Sequence, residues 1–437
     1  MTIVELDEYR TVRVAGLRPS PADRDLAVSP ELRKRLELRW LADGDLEITA
    51  GSHVGVVSLD CASIHIRPKL VGRELAVLRM LDYASGLSAL RHLDTVRDLP
   101  GAGPHLRDLV CLLLTVECEA LLRHGLRRDY VRREESLPAV RGRLLHDWQL
   151  LRRFGRLDRL ECRFEEFDAN ILDNQLCTTA LDLAARTTAD EKVRARARRA
   201  STEFSSLCPA VVVDHRLAAQ VLTYHRHNEH YRQAHCWALL LLGHGGFADL
   251  YATSGPSGQT FLLDLNSLFE AFVTRLLEEA FHGTGIAVRA QPELKESIGY
   301  RDGRRYTTIT PDIQLTRGHG QTAWRRSVDV KYKLYTDRKI KPADLYQSFA
   351  YATALSHVGS TETPTAHILY ASDRDTTPEE VILRRHDGSA AAQITALGLN
   401  VPSLIAALGT PKLVLALTGI RTAVTSGEAV PRITQKS

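Results

Sequence analysis

The chain has 437 residues, a formal net charge of +4 at pH 7 and charged side chains at 25% of positions. That is length enough for two or three domains, with a charge balance that does not by itself demand a nucleic-acid partner. Its 7 cysteines fall without CxxC or paired spacing, which reads as a reduced, cytoplasmic compartment rather than a disulfide scaffold. No run of about 18 apolar residues is present to span a bilayer. MTIVELDEYR carries acids where a secretory leader would carry bases, so neither leader nor membrane anchor is expected.

Residues 1–72 read as a β-rich N-terminal domain. LELRWLADGDLEITA, HVGVVSLD and ASIHIRPKL alternate apolar and polar residues, the period of half-buried strands, with Asp43-Gly44 as a hairpin turn and Pro68 at the exit. A small sheet or barrel is expected, with docking rather than chemistry as its role. Residues 73–245 form a mainly helical middle region. Helices are expected over 107–122, 173–186, 191–204 and, longer, 217–242. Cys111 and Cys118, seven apart, share one apolar face and read as core.

Between Arg123 and Arg163 arginines outnumber acids about two to one. Arginine pairs phosphates bidentately, so DNA contact fits. Arg132-Arg133 beside Glu134-Glu135 fits ion pairing within the protein or to a partner better. YHRHNEHYRQAHC supplies His225, His227, His230, His235 and Cys236. His227 and His230 have a spacing that a transition metal can use. Yet the expected long helix puts His225 and His227 on opposing faces and HExxH is missing, so packing histidines are the expectation.

Residues 246–437 hold the chemistry. LDLNSLFEAFVTRLLEEAF is a helix with Leu265, Leu268, Phe269, Phe272 and Leu276 as its buried stripe and Glu270 at the stripe's edge. The expected order is helix, three strands, helix, then the strand AHILYAS. Asp312 opens one strand behind Pro311, and Asp329-Val330-Lys331 lies within the next. Residues i and i+2 of a strand share a face about 6.6 Å apart, and a paired neighbour lies roughly 4.8 Å away, so Asp312, Asp329 and Lys331 can converge.

Two carboxylates meeting on one face repel unless something positive sits between them. Mg²⁺ suits one or two carboxylates plus a backbone carbonyl, here that of Val330, and leaves room for a phosphate. Lys331 would orient a bound water or offset developing charge, the layout of phosphodiester hydrolysis. Lys333 shares the face of Lys331. The following helix puts Asp344, Gln347 and Tyr351 at i, i+3 and i+7 on one face. A D/E-x-K triplet alone is weak, arising about once by chance in such a length, and Glu293-Leu294-Lys295 is a rival. Beyond Thr377 a hairpin from VILRRHD and AAQITALGLN, a short helix at 403–408 and a frayed tail from Arg421 are expected. No GxxxxGK[ST] loop occurs, so this chain is not a nucleotide-driven motor.

NSLFE, TPD, DVKYK and DLYQSFAYA, in that order, resemble the PD-(D/E)XK nuclease domain of McrC proteins, the cleavage subunits of McrBC-type modification-dependent restriction systems. IHIRPKL, GLRRDYVRREESLPAVRGRL and CRFEEFDANILDNQL resemble further McrC segments, so the likeness covers most of residues 60–372. The resemblance implies an α+β multidomain chain ending in a restriction-endonuclease-like α/β domain. It implies a Mg²⁺-dependent DNA endonuclease, with Mn²⁺ able to stand in, acting in phage defence. Its implied partners are a McrB-like AAA+ GTPase hexamer, bound through the N-terminal part and stimulated, and double-stranded DNA with modified cytosine. Asp312, Asp329, Glu270 and the Val330 carbonyl would hold the metal, with Lys331, Gln347 and Tyr351 completing the site. Two other readings stay open: a stand-alone repair or recombination nuclease, and a non-catalytic regulator of an AAA+ motor.

Overall fold

The computed structural model describes residues 2–69, 74–84, 106–154, 156–244, 260–302, 304–318, 323–333, 340–356 and 362–425. The expected domain boundaries near 72 and 245 lie outside these residues.

Strand alternation shapes the N-terminal region. Leu36–Trp40 and Leu46–Ala50 pair antiparallel and bury Leu36, Leu38, Leu46, Ile48 and Ala50. Gly44 turns between them at φ +90°, as the Asp-Gly pair implies. Thr11–Val14 joins the other side of Leu46–Ala50. In a second sheet His53–Ser58 pairs with Ala62–Arg67, which runs parallel to Thr2–Asp7.

That second sheet is completed from far along the chain, because Thr260–Asp264 pairs antiparallel with His53–Ser58. Gly55 permits the crossing. A Cβ there would stand 2.0 Å from the Phe261 carbonyl oxygen, and its φ of +138° is one only glycine adopts freely. The β-rich expectation for this region names no helix, and two are present, Pro21–Val28 and Pro30–Arg33. Ser20 and Asp23 cap the first reciprocally, each backbone N–H bonding the other's side chain at 3.1 Å, a capping box spelled Ser-Pro-Ala-Asp.

Helices Leu106–His124, Leu172–Thr187 and Glu191–Leu207 stand close to their expected bounds, with Cys111 and Cys118 in the core. The single helix expected over 217–242 is corrected to His215–Val221, a 3-10 turn at Glu229–Tyr231, and Arg232–His244. Asn228 is the breaker. Its Oδ1 accepts the His225 N–H at 2.8 Å, and its Nδ2 donates to Asp173 Oδ1 and the Thr223 carbonyl, both at 3.0 Å. Such side-chain bonds compete with the helical ladder. The helical expectation also fails between 129 and 168. There Asp129–Leu137, Leu160–Asp168 and the short Arg143–Leu144 form a three-stranded antiparallel arm around helix His146–Arg153.

The last region is built on a six-stranded mixed sheet between two helices. Leu265–Phe281 lies on one face with the expected buried stripe, and Pro342–Leu355 lies against the other. Five strands rather than three separate these helices. Ile286–Ala290, Ile313–Arg317 and Trp324–Lys331 enter the sheet, while Leu294–Gly299 and Arg305–Ile309 make a side hairpin. Thr365–Ser372 runs parallel to Trp324–Lys331. The hairpin Glu379–Arg384/Ala390–Asn400 extends the sheet beyond it, as expected, followed by helix Val401–Ala407. The tail does not fray at Arg421. Helix Lys412–Thr425 carries through it, and Arg326 Nη1 donates to the Val424 carbonyl at 2.9 Å, satisfying one of its terminal acceptors. One hydrophobic core runs from the N-terminal sheets through the middle helices to the Leu265–Phe281 face; a smaller one lies under Pro342–Leu355.

Candidate active site

Trp324–Lys331 divides its residues between the two faces of its sheet, with period two. Val328 and Val330 join the core under Leu265–Phe281, which leaves Asp329 and Lys331 on the side of Pro342–Leu355. Antiparallel register pairs Ile313 with Val328, so Asp312, one residue earlier, comes beside Asp329. The Asp312 Oδ2 accepts the Val330 N–H at 2.7 Å, and Lys331 Nζ stands 2.8 Å from Asp329 Oδ2. The three residues expected to converge do so.

Asp329 is 1% exposed, and neither carboxylate oxygen receives a well-aligned hydrogen bond. Burial raises its pKa to about 7; Lys331 opposes the rise and Asp312 adds to it. Desolvation penalises the charged form and a second acid nearby does the same. For Lys331, burial pulls downward, but Asp329, Asp312 and Asp344 outweigh it and hold the ammonium above its ordinary value. A buried carboxylate whose one close cation is Lys331 among the described residues, next to a second carboxylate, is a donor set that a hard divalent cation satisfies.

Glu270 reaches this neighbourhood from its helix. Its Oε1 accepts from Gln291 Nε2 at 2.8 Å, and the Gln291 backbone N–H donates to the Asp312 carbonyl at 2.7 Å. Burial raises Glu270, Gln291 lowers it and Asp312 raises it further. Gln291 therefore ties two expected site residues together, and the sequence reading missed it. Its only mark is φ +42° at the end of a strand, which no local pattern announces.

From Pro342–Leu355, Gln347 Nε2 donates to the Tyr351 hydroxyl at 2.7 Å, and that hydroxyl donates to the Thr310 carbonyl at 3.2 Å, two residues before Asp312. Burial raises Tyr351, with Asp329 and Asp312 contributing. Gln347 is exposed and Tyr351 is buried. Asp344 is buried and lies 3.8 Å from Lys333 Nζ. The bond seen at Val330 is through its amide. Among the described residues no three His, Cys, Asp or Glu side chains form a cluster able to hold an ion, so a cation here would rest on Asp312 and Asp329 with backbone and water oxygens. The rival Glu293/Lys295 pair lies at the side hairpin, 3.1 Å apart and at least 60% exposed.

Several of the other charged candidates pair within the protein, while His225 and His227, expected on opposing faces of a helix, instead stand with ring centroids 5.9 Å apart. On the arm, Arg133 pairs with Asp168, with Glu166 at 2.9 Å and with Glu135 at 3.5 Å; Arg163 meets Glu134 at 2.5 Å and Arg153 meets Glu161 at 3.2 Å. His235 is fully buried, with Nε2 3.0 Å from the Asp173 carbonyl and Nδ1 3.2 Å from the Tyr224 hydroxyl. It is a packing histidine, as expected, although not in the long helix expected.

A family model described as "McrBC 5-methylcytosine restriction system component" matches residues 48–362, which spans both the arm and the Asp312/Asp329/Lys331 cluster. The chain belongs to this McrBC family. A chain of the refined half-complex from the tetradecameric assembly of Thermococcus gammatolerans McrB AAA+ hexamers with bound McrC is similar at 19% identity. That likeness covers 96% of this chain and 99% of that one, with a TM-score of 0.59, and speaks for a shared fold. The cryo-EM structure of the T. gammatolerans McrBC complex is also similar, at 21% identity over 64% of this chain and 88% of that one, with a TM-score of 0.44. No curated protein matches. In this McrBC component no helix among the described residues is long and apolar enough to cross a membrane.

Proposed function

We propose that this McrBC component is the DNA endonuclease subunit of a modification-dependent restriction complex, with a PD-(D/E)XK-type site at Asp312, Asp329 and Lys331. The observation that carries the reading is the buried Asp329 carboxylate, its oxygens short of donors, beside Asp312 and held by Lys331. Mg²⁺, or Mn²⁺ in its place, supplies Lewis-acid polarisation of a phosphodiester and lowers the pKa of a bound water. Asp312 and Asp329 would hold the ion, with Glu270 at the margin and the Val330 carbonyl within the same strand. Asp329, raised to about 7 by burial, would have to be ionised to hold it, so binding should tighten as pH rises through about 7. Lys331 stays protonated and offsets charge building on the phosphate, while Tyr351 and Gln347 shape the wall beside it.

The T. gammatolerans relative is bound to McrB AAA+ hexamers. In this reading the chain pairs with a McrB-like AAA+ GTPase hexamer, stimulates its hydrolysis and cuts double-stranded DNA carrying modified cytosine; its family membership supports the pairing. The test is cleavage of methylated and unmethylated DNA with Mg²⁺, with and without the AAA+ protein and GTP. Cutting that needs all of them, and that Asp329→Ala abolishes while GTPase stimulation persists, supports the reading. Cutting without nucleotide or partner would instead make the chain a stand-alone nuclease. GTPase stimulation with no cutting in any combination would make it a regulator.

A further inference from the structure

The two elements that carry the site both end on the N-terminal region. Tyr332, next after Lys331, is 2% exposed, and its ring packs 5.6 Å from that of Phe269, the neighbour of Glu270. Its hydroxyl donates to Glu8 Oε1 at 3.0 Å, and its carbonyl accepts from the Tyr9 hydroxyl at 3.2 Å. Glu8 and Tyr9 are themselves pinned. Glu8 is fully buried, its Oε1 also accepts the Lys69 N–H at 2.7 Å, and its own N–H donates to the Arg67 carbonyl at 3.0 Å. Tyr9, at φ +59°, donates its N–H to the Gly51 carbonyl at 3.2 Å.

One residue further along, Ser52 meets the other element. Its Oγ bonds Asp264 Oδ1 at 3.0 Å and accepts from Asn266 Nδ2 at 2.7 Å, and its carbonyl accepts the Leu265 N–H at 3.0 Å. Asp264 in turn caps the helix of Glu270. More than three hundred positions apart in the chain, residues 8 and 9 grip the end of the strand that carries Asp329 and Lys331. Residue 52 grips the start of the helix that carries Glu270. A buried carboxylate and a left-handed non-glycine residue are costly to assemble, and here both close on one buried tyrosine beside the site, Glu8 at its hydroxyl and Tyr9 at its carbonyl.

We propose that Glu8 and Tyr9 form a latch on Tyr332 that positions the cation site, acting through the backbone that follows Lys331 rather than by touching the ion. The inference rests on the metal-binding part of the proposed function. Mg²⁺ and Mn²⁺ demand tightly fixed oxygen geometry, so a small slip of the strand end separates Asp329 from Asp312 without unfolding either. The groups beside the latch that do not touch the site are then as telling as the carboxylates themselves.

The experiment is calorimetric titration of the full-length, metal-free protein with Mn²⁺, alongside thermal unfolding without metal. Asp329→Ala should bind no Mn²⁺ at the site. Tyr332→Phe, which keeps the ring and loses only the hydroxyl, should raise the Mn²⁺ dissociation constant about tenfold, and Tyr9→Phe about threefold. If Tyr332→Phe lowers the unfolding temperature, Tyr9→Phe, on a side chain 48% exposed, decides the matter. Wild-type affinity in both tyrosine variants, with binding still lost in Asp329→Ala, overturns the latch and leaves the metal site standing. No Asp329-dependent Mn²⁺ binding in the wild type overturns both.

Discussion

Two regions of this protein are rich in opposed charges and put them to different ends. On the arm, Arg133 and Arg163 face Asp168, Glu166 and Glu134 across adjacent strands, and Arg153 meets Glu161 from the arm's helix, with side chains mostly a quarter to a third exposed. Water screens such pairs, and each is worth little. In the large sheet a single pair, Asp329 with Lys331, is 1% and 17% exposed. The same chemistry there moves a carboxyl to about pH 7 and leaves oxygens wanting a partner. Burial, not the number of charges, separates a scaffold from a site.

That contrast can be broken in graded steps. Removing the buried pair should have the largest effect. Asp329→Ala or Lys331→Ala should lower Mg²⁺-dependent DNA cleavage by about a thousandfold while binding and GTPase stimulation of the AAA+ partner persist, as followed by gel assay and phosphate release. Loss of all three activities together would mean a misfolded sheet.

The second step is pH. The folded pKa of Asp329 lies above its unfolded value of 3.8, so between about pH 4 and 7 the native state holds a proton that the unfolded chain has released. The associated stability is full at low pH and is lost as pH rises through about 7. Urea unfolding in chelator should therefore show the wild type losing about 4 kcal/mol across that window. Asp329→Asn should flatten the slope; an unchanged slope would mean the carboxyl titrates as an ordinary surface acid.

Smaller still is Gln291→Ala, which frees Glu270 and should raise the Mg²⁺ concentration for half-maximal cleavage by about fivefold with little change in unfolding temperature. At the bottom of the scale, Arg163→Ala should cost about 0.5 kcal/mol of stability, and Lys295→Ala in the rival triplet should leave cleavage at the wild-type level. A large loss from Lys295→Ala would move the site to the side hairpin.

Much of the site was legible because strand period and pairing are local rules. Asp312 at a strand start and Asp329 and Lys331 two apart must come together once the two strands pair in that register. Gln347 and Tyr351 were legible as one helix face, although not the bond that ties Tyr351 to Thr310. Gln291 was not legible, since a left-handed glutamine after a strand has no periodic signature. The middle region misled for a related reason. An Arg- and Glu-rich stretch such as 129–137 has no apolar alternation to mark it as a strand, because its neighbours in the arm are charged partners rather than core. The break at Asn228 depends on Asp173, 55 residues away, which no window around the histidines contains.

By itself, then, the order of residues determined the two helices that flank the site, the strands that carry Asp312, Asp329 and Lys331, the faces on which the acids and lysine lie, and the family to which the chain belongs. Packing alone decided that Asp329 would be dry, and that Thr260–Asp264 would complete a sheet begun two hundred positions earlier. It also decided that Glu8 and Tyr9 would close on the residue after Lys331. Periodicity is written into neighbouring residues, whereas desolvation and long-range hydrogen bonds exist only once distant segments have met.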